Sequence, residues 1–139
     1  MLNKHGEVDV TIFLGDLNYR VDITDVDQVL SLMKEGDYKM MLEKDQLKKQ
    51  MSLLPAFKTL EESPITFQPT YKLTPMTNVY DPAGAKKRIP AWCDRILYSA
   101  KNKKHLSTLF YTAAALASSD HKPVSALHEV WIGDEEEDV

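Results

Sequence analysis

Residues 8–20 of the chain read VDVTIFLGDLNYR. The first seven of these residues are rich in Val, Ile and Phe, which favours a β-strand, and the run ends at Gly15. Because the run is mainly apolar, we expect the strand to be buried on both faces. The polar residues of GDLNYR then form a loop at the end of the strand, which is a common location for functional side chains.

Two helices are predicted after this loop. The first begins at Thr24 as its N-cap and ends at Gly36, with apolar residues at helical spacing between them. The second begins at Asp37 and runs to Met51, and beyond it recurring prolines favour short extended segments. Strands are predicted at four further places: residues 65–67, 93–99, 106–112 and 123–132. This order of elements predicts an α/β or α+β fold.

Composition restricts the class of protein. The 139 residues are 43% hydrophobic and 27% charged, which excludes an intrinsically disordered chain and a collagen-like fibre. No apolar run reaches the roughly 20 residues that cross a bilayer, no secretory signal is recognisable, and the single cysteine cannot form an internal disulfide. We therefore expect a cytoplasmic protein. Its net charge of −4 argues against nucleic acid as a partner, and the five scattered glycines exclude a P-loop and a Gly-rich dinucleotide turn.

Asp16 and Asn18 are the first candidates for a functional site. They lie two residues apart after the strand, so their side chains share one side if the backbone stays extended. A carboxylate beside an amide suits a general base, or a group that supports a metal, next to a neutral hydrogen-bond donor. An ordinary turn is the alternative interpretation, because Gly, Asp and Asn are common turn residues.

A second candidate is the loop Ser118–His121. Asp120 and His121 stand side by side, which suits metal binding or proton transfer, since His titrates near neutral pH and a carboxylate binds hard cations. A polar surface loop is the alternative.

A basic cluster, KKR at 86–88, precedes PAWCDR at 90–95, and together they suit an anion site. A solvated basic turn is the alternative interpretation. A phosphatase with a cysteine nucleophile needs an Arg six positions after that cysteine, but Ser99 stands six positions after Cys93. Cys93 is therefore predicted to pack in the core, not to react.

Four segments taken together resemble the inositol polyphosphate 5-phosphatases: GDLNYR at 15–20, PTYK at 69–72, KKRIPAWCDRIL at 86–97 and SSDHKPV at 118–124. These enzymes belong to the endonuclease/exonuclease/phosphatase superfamily, whose fold is an α/β sandwich of two packed mixed sheets flanked by helices. The resemblance implies that residues 1–132 are the C-terminal half of such a catalytic domain and that residues 133–139 are an acidic tail. The preceding half would carry the main magnesium ligands, so we expect the 139 residues alone to be inactive.

The resemblance further implies Mg²⁺-dependent hydrolysis of the 5-phosphate of phosphoinositides or soluble inositol polyphosphates by in-line attack of water. The implied catalytic residues are Asp16, Asn18, Asp94, Asp120 and His121. The implied residues that bind the neighbouring 4-phosphate are Tyr71, Lys72, Lys86 and Arg88.

Each catalytic residue has an implied role. Asp16 would orient or deprotonate the water, and Asn18 would hydrogen-bond the phosphate oxygens. His121 would contact the scissile phosphate, with its tautomer fixed by Asp94. Asp120 would lie beside the nucleophile or the metal, and it is the candidate magnesium ligand of this chain. Arg95 is expected to be a structural ion-pair partner.

Two other functions remain open at this point. A nuclease of the same superfamily would share GDLN and SDH, although PTYK and the basic cluster favour an inositol phosphate substrate. A truncated, inactive fragment that acts as a binding module is the non-enzymatic alternative. For the full-length protein we expect a membrane surface as a partner and a peripheral location at membranes.

Overall fold

The computed structural model describes residues 7–81 and 88–133. Strand β1 (Val10–Asp16) is followed by three helices, and three strands lie in the second half of the described chain. These later elements are α1 (Val26–Glu35), α2 (Lys39–Glu43), α3 (Gln46–Leu53), β2 (Asp94–Ala100), β3 (Leu106–Ala113) and β4 (Val124–Val130). Two short 3-10 turns occupy Pro55–Phe57 and Lys103–His105. The mixed α/β architecture expected from the sequence is confirmed.

The strands form two antiparallel pairs. β1 pairs with β2, and β3 pairs with β4. The pairs meet at Tyr111 of β3, whose hydroxyl accepts the Ile96 N–H of β2 at 3.2 Å. The Tyr111 ring packs edge-on against Phe67, with their centroids 5.0 Å apart. Trp92, just before β2, is fully buried, and its indole N–H donates to the Phe67 carbonyl at 2.9 Å. The buried core brings together α1, α2, the segment around Phe67, the residues just before β2, and Tyr111 of β3.

The helices differ from the prediction in two details. The N-cap of α1 is Asp25 and not Thr24, because the Asp25 carboxylate accepts the Gln28 N–H at 3.1 Å. The predicted stop at Gly36 is confirmed, since this residue has the left-handed φ of 71° that favours glycine. The single helix predicted from Asp37 to Met51 is instead α2 and α3, which are separated at Asp45.

The break at Asp45 follows from a buried ionic network. The Asp45 carboxylate caps α3 by accepting the Lys48 N–H, and both of its oxygens accept from Arg95 Nη1 at 3.0 and 2.9 Å. Nε and Nη2 of Arg95 form a two-pronged contact with Glu62, both at 2.7 Å. Glu62 also accepts the Tyr111 hydroxyl at 2.9 Å. The Arg95 side chain is fully buried, so the expectation of a structural ion pair is confirmed.

Two expectations about strands are wrong. β1 is not buried on both faces, because Ile12, Phe13 and Leu14 are 41%, 44% and 61% exposed and β1 has β2 as its one neighbour among the described strands. Residues 65–67 form no strand. They are extended, and Ile65 and Phe67 are buried, but no described segment pairs with them. Over the described ranges, no helix has the length and apolarity to span a bilayer.

We predict that Arg95→Met lowers the free energy of unfolding by about 3–5 kcal/mol, because it leaves Asp45 and Glu62 without their buried cation. Urea unfolding followed by circular dichroism measures the change. The control is Lys103→Met, which breaks an exposed ion pair with Glu61 and should leave the midpoint close to that of the wild type. An Arg95→Met midpoint equal to the control's would contradict the network's role.

Candidate active site

The site begins where β1 ends and β2 starts. The antiparallel register places Asp16, the last residue of β1, directly opposite Asp94, the first residue of β2. Side chains of directly opposed residues lie on the same face of a sheet, so the two carboxylates are brought together. The chain then turns at Asn18, which has the left-handed φ of 57° that Asn tolerates, and the Asp16 carboxylate accepts the Asn18 N–H at 2.9 Å.

Residues 69–73, which include PTYK, form a central segment next to the two carboxylates. On one side, Tyr71 forms an antiparallel bridge with Ala91, three residues before Asp94. On the other side, Tyr71 forms an antiparallel bridge with His121. The central segment therefore joins the two segments that supply the acid and the imidazole.

Asp94 and His121 form a hydrogen-bonded pair. His121 Nδ1 lies 2.9 Å from Asp94 Oδ2, and both side chains are roughly three-quarters buried. With Asp94 ionised, this geometry makes Nδ1 the donor and leaves Nε2 to face other groups. One oxygen of Asp16, one oxygen of Asp94 and one ring nitrogen of His121, each able to bind a metal ion, all lie within 4.8 Å of one another. This arrangement allows His121, close to the carboxylate of Asp16, to gain or lose a proton at Nε2.

An aromatic ring stacks against the imidazole. The centroid of the Tyr71 ring lies 4.6 Å from that of His121, and the Arg20 guanidinium lies 4.3 Å from the Tyr71 centroid. Arg20 Nη2 also donates to the Asn18 amide oxygen. This hydrogen bond directs the Asn18 amide nitrogen, a donor, away from Arg20. The contact of Arg20 with the Tyr71 ring ties the GDLNYR loop to PTYK.

The remaining candidate residues that the structure describes lie outside the group formed by Asp16, Asp94 and His121. Lys72 is partly buried, with Nζ 4.0 Å from the Asp81 carboxylate, and Arg88 is exposed. Lys86 lies outside the described residues. Asp120 is adjacent to His121 but is not part of the group of three, and its carbonyl accepts the Leu73 N–H at 2.9 Å.

A small cavity opens beside the Asp94–His121 pair. It has a volume of about 320 Å³, and its lining includes Gly15, Ser119 and Lys122. A larger open groove of about 1170 Å³ lies along α2 and the start of α3, but none of the candidate residues lines it. We assign the site to the smaller cavity because the acid and the imidazole are there.

Two residues that contact the site, Thr70 and Arg20, were not predicted from the sequence. Thr70 is fully buried and donates to Asp94 Oδ2 at 2.7 Å. Arg20 contacts Asn18 and Tyr71, as described above. Thr70 lies within PTYK and Arg20 lies within GDLNYR. Membership of these segments could have identified both residues, whereas the spacing of residue types could not.

The chain is similar in sequence to proteins of one family. Residues 3–127 match the family described as Endonuclease/Exonuclease/phosphatase family 2. The chain is 43% identical over 131 residues to a type II inositol 1,4,5-trisphosphate 5-phosphatase of Mus musculus, covering 94% of this chain and 13% of that protein. It is 41% identical over 123 residues to a synaptojanin of Caenorhabditis elegans, covering 88% and 11%.

Two solved structures have a similar fold. One is the inositol polyphosphate 5-phosphatase domain of a synaptojanin in complex with inositol (1,4)-bisphosphate and calcium ion, with a TM-score of 0.75, 34% identity and coverage of 94% of this chain and 40% of that one. The other is a Cimex nitrophorin ferrous NO complex, with a TM-score of 0.77, 30% identity and coverage of 93% and 45%. The chain thus spans less than half of either solved chain.

We predict that the Cys93 thiol is inert in the folded protein. Burial raises its pKa to about 12, so about one thiol in 10⁴ is ionised at pH 8. Reaction with a thiol-specific disulfide reagent at pH 8 should be slow in buffer and complete within the mixing time in concentrated urea. Fast labelling of the folded chain would reopen Cys93 as a candidate nucleophile.

Proposed function

This chain belongs to the endonuclease/exonuclease/phosphatase family, and from that membership we propose that its Asp16–Asp94–His121 site takes part in hydrolysis of the 5-phosphate of phosphoinositides or soluble inositol polyphosphates. The observation that carries the proposal is the Asp94–His121 pair at 2.9 Å beside Asp16, with Tyr71 bridged to His121. The similar proteins are named as phosphatases of inositol phosphates, which supports the substrate class.

The residues have distinct tasks in this reaction. Asp16 accepts a proton from the attacking water, and the oxygen of that water forms the new bond to phosphorus. The bond from phosphorus to the ester oxygen on the opposite side breaks, and the leaving ester oxygen takes up a proton from solvent water. The Asn18 amide nitrogen, directed by Arg20, donates to a phosphate oxygen as negative charge builds there. In the proposed complex, His121 Nε2 faces the phosphate and carries a proton taken from solvent, which it donates to a phosphate oxygen, while Asp94 accepts from Nδ1–H and stabilises that imidazolium.

Magnesium is part of the proposal. Hard cations prefer oxygen ligands, and Asp94 Oδ2 is already bound by Thr70 and His121. Asp16 is the proton acceptor in the proposed reaction, so Asp120, next to His121, is the carboxylate that we propose as the cation ligand of this chain. A bound divalent cation would neutralise charge on the phosphate. The calcium ion in the similar synaptojanin domain supports a divalent site in this fold.

The neighbouring 4-phosphate is assigned to Tyr71, Lys72 and Arg88. The Tyr71 ring contacts both Arg20 and His121, and Lys72 is the next residue along the chain, with Nζ 4.0 Å from the Asp81 carboxylate. A phosphate dianion needs several donors, and a planar guanidinium such as that of Arg88 provides a forked set. We favour an inositol phosphate over a nucleic acid because the similar proteins are named as inositol phosphate 5-phosphatases.

We predict that Asp16→Ala and His121→Ala each lower kcat by roughly 10²–10³-fold in a full-length protein that contains this segment, because both groups act mainly in the transition state. Phosphate release from an inositol 4,5-bisphosphate headgroup with Mg²⁺ is the measurement. The control is Asp27→Ala, which removes an exposed carboxylate in the first turn of α1. Turnover near that of the control in either variant would remove the residue from the catalytic set.

We also predict that Lys72→Ala and Arg88→Ala reduce kcat/KM for a 4,5-bisphosphate substrate much more than for one without the 4-phosphate. The reason is that each side chain is assigned to the 4-phosphate and not to the reacting phosphate. Lys104→Ala, an exposed lysine after β2, is the control. Equal losses on both substrates would show a general effect on the fold or the surface potential.

A further inference from the structure

Thr70 contacts Asp94, the acid of the Asp94–His121 pair. Its side chain is fully buried, and Oγ1 donates to Asp94 Oδ2 at 2.7 Å. His121 Nδ1 approaches the same oxygen at 2.9 Å. One carboxylate oxygen is therefore held from two directions, by a hydroxyl and by the imidazole.

The backbone of Thr70 holds the same two segments. Its N–H donates to the Ala91 carbonyl at 3.1 Å, on the segment that leads to Asp94. Its carbonyl accepts the Lys122 N–H at 2.9 Å, immediately after His121. Residue 70 thus sets the spacing between the acid and the imidazole through three separate hydrogen bonds.

The side-chain contact has a specific consequence for Asp94. The terminal torsion of an Asp side chain is broad and roughly two-fold, so a carboxylate with one partner can turn and exchange its oxygens. A second donor on Oδ2 removes that freedom. A short hydroxyl contact to an ionised carboxylate is also stronger than one between neutral groups.

We propose that Thr70 is a positioning residue for His121: by fixing Asp94 Oδ2 it keeps the proton of neutral His121 on Nδ1 and leaves Nε2 free to act in the site. The inference rests on the proposed function for the statement that His121 is the reacting imidazole. The hydrogen-bond arrangement itself does not depend on any substrate, so it can be tested without activity.

Thr108 offers a matched comparison elsewhere in the fold. Its Oγ1 accepts the Ser63 hydroxyl at 2.9 Å and lies 3.0 Å from His128 Nδ1. Thr108→Val therefore removes a threonine hydroxyl next to a histidine that belongs to no candidate site. This control separates a general cost of losing such a hydroxyl from an effect transmitted through Asp94.

The experiment is ¹⁵N nuclear magnetic resonance of the histidine rings in this 139-residue chain, at a pH where His121 is neutral. Ring ¹⁵N shifts distinguish protonated from unprotonated nitrogens and so give the tautomer ratio. We expect mainly the Nδ1–H form in the wild type. In Thr70→Val we expect the ratio of Nδ1–H to Nε2–H to fall at least about twofold, because the acceptor is no longer fixed. Thr70→Ser, which restores the hydroxyl, and Thr108→Val should keep the wild-type ratio at His121.

A folded Thr70→Val with the wild-type ratio would overturn the proposal. If Thr70→Val does not fold, Thr70→Ala removes the hydroxyl without the added methyl group. If neither hydroxyl-free variant folds while Thr70→Ser does, the hydroxyl stabilises the fold and the positioning role is rejected.

A kinetic arm separates this proposal from the proposed function. In the full-length protein, Thr70→Val should lower kcat roughly tenfold with little change in KM, and Thr70→Ser should recover most of the loss. A changed tautomer ratio with unchanged kcat would leave the positioning role intact and would instead refute the assignment of His121 as the reacting imidazole.

Discussion

The buried guanidinium of Arg95 is the interaction on which the arrangement of this chain depends. Removing a guanidinium and two carboxylates from water is costly, and the cost is offset only when nearly every donor finds an acceptor. Arg95 meets that condition with Asp45, Glu62 and the Trp92 carbonyl. Since these partners come from the start of α3, the segment before Phe67 and the approach to β2, one side chain fixes three parts of the fold relative to one another.

The site is a consequence of that anchor. Successive residues of a strand point to opposite faces, so fixing Arg95 inside the ionic network turns Asp94 toward the other face. There it meets Asp16 across the ladder and His121 from the loop before β4. The rigid part of the fold thus positions the acid, while the imidazole arrives on a loop that is tied down by backbone hydrogen bonds to residues 70 and 73.

Local signals allowed much of this to be predicted from the sequence. Apolar runs located β1 to β4 within two residues, and Gly36 ended α1 as expected, because strand patterns and caps depend on neighbouring residues. The break at Asp45 could not be predicted, since its cause is Arg95, 50 residues later. Thr70 was missed for the same reason: its importance lies in an acceptor 24 residues away. The exposure of Phe13 depends on what lies over β1, which no local pattern encodes.

The comparison with the nitrophorin separates fold from chemistry. Its TM-score and identity are close to those of the synaptojanin phosphatase domain, so similarity of the backbone alone does not distinguish a phosphatase from a nitrophorin. The choice rests on side chains. Cys93 is buried with a raised pKa, whereas Asp94 and His121 border a cavity and are held in register by Thr70. Groups that are both accessible and fixed can carry a reaction, and in the described part of this chain those groups are an acid and an imidazole beside a second acid.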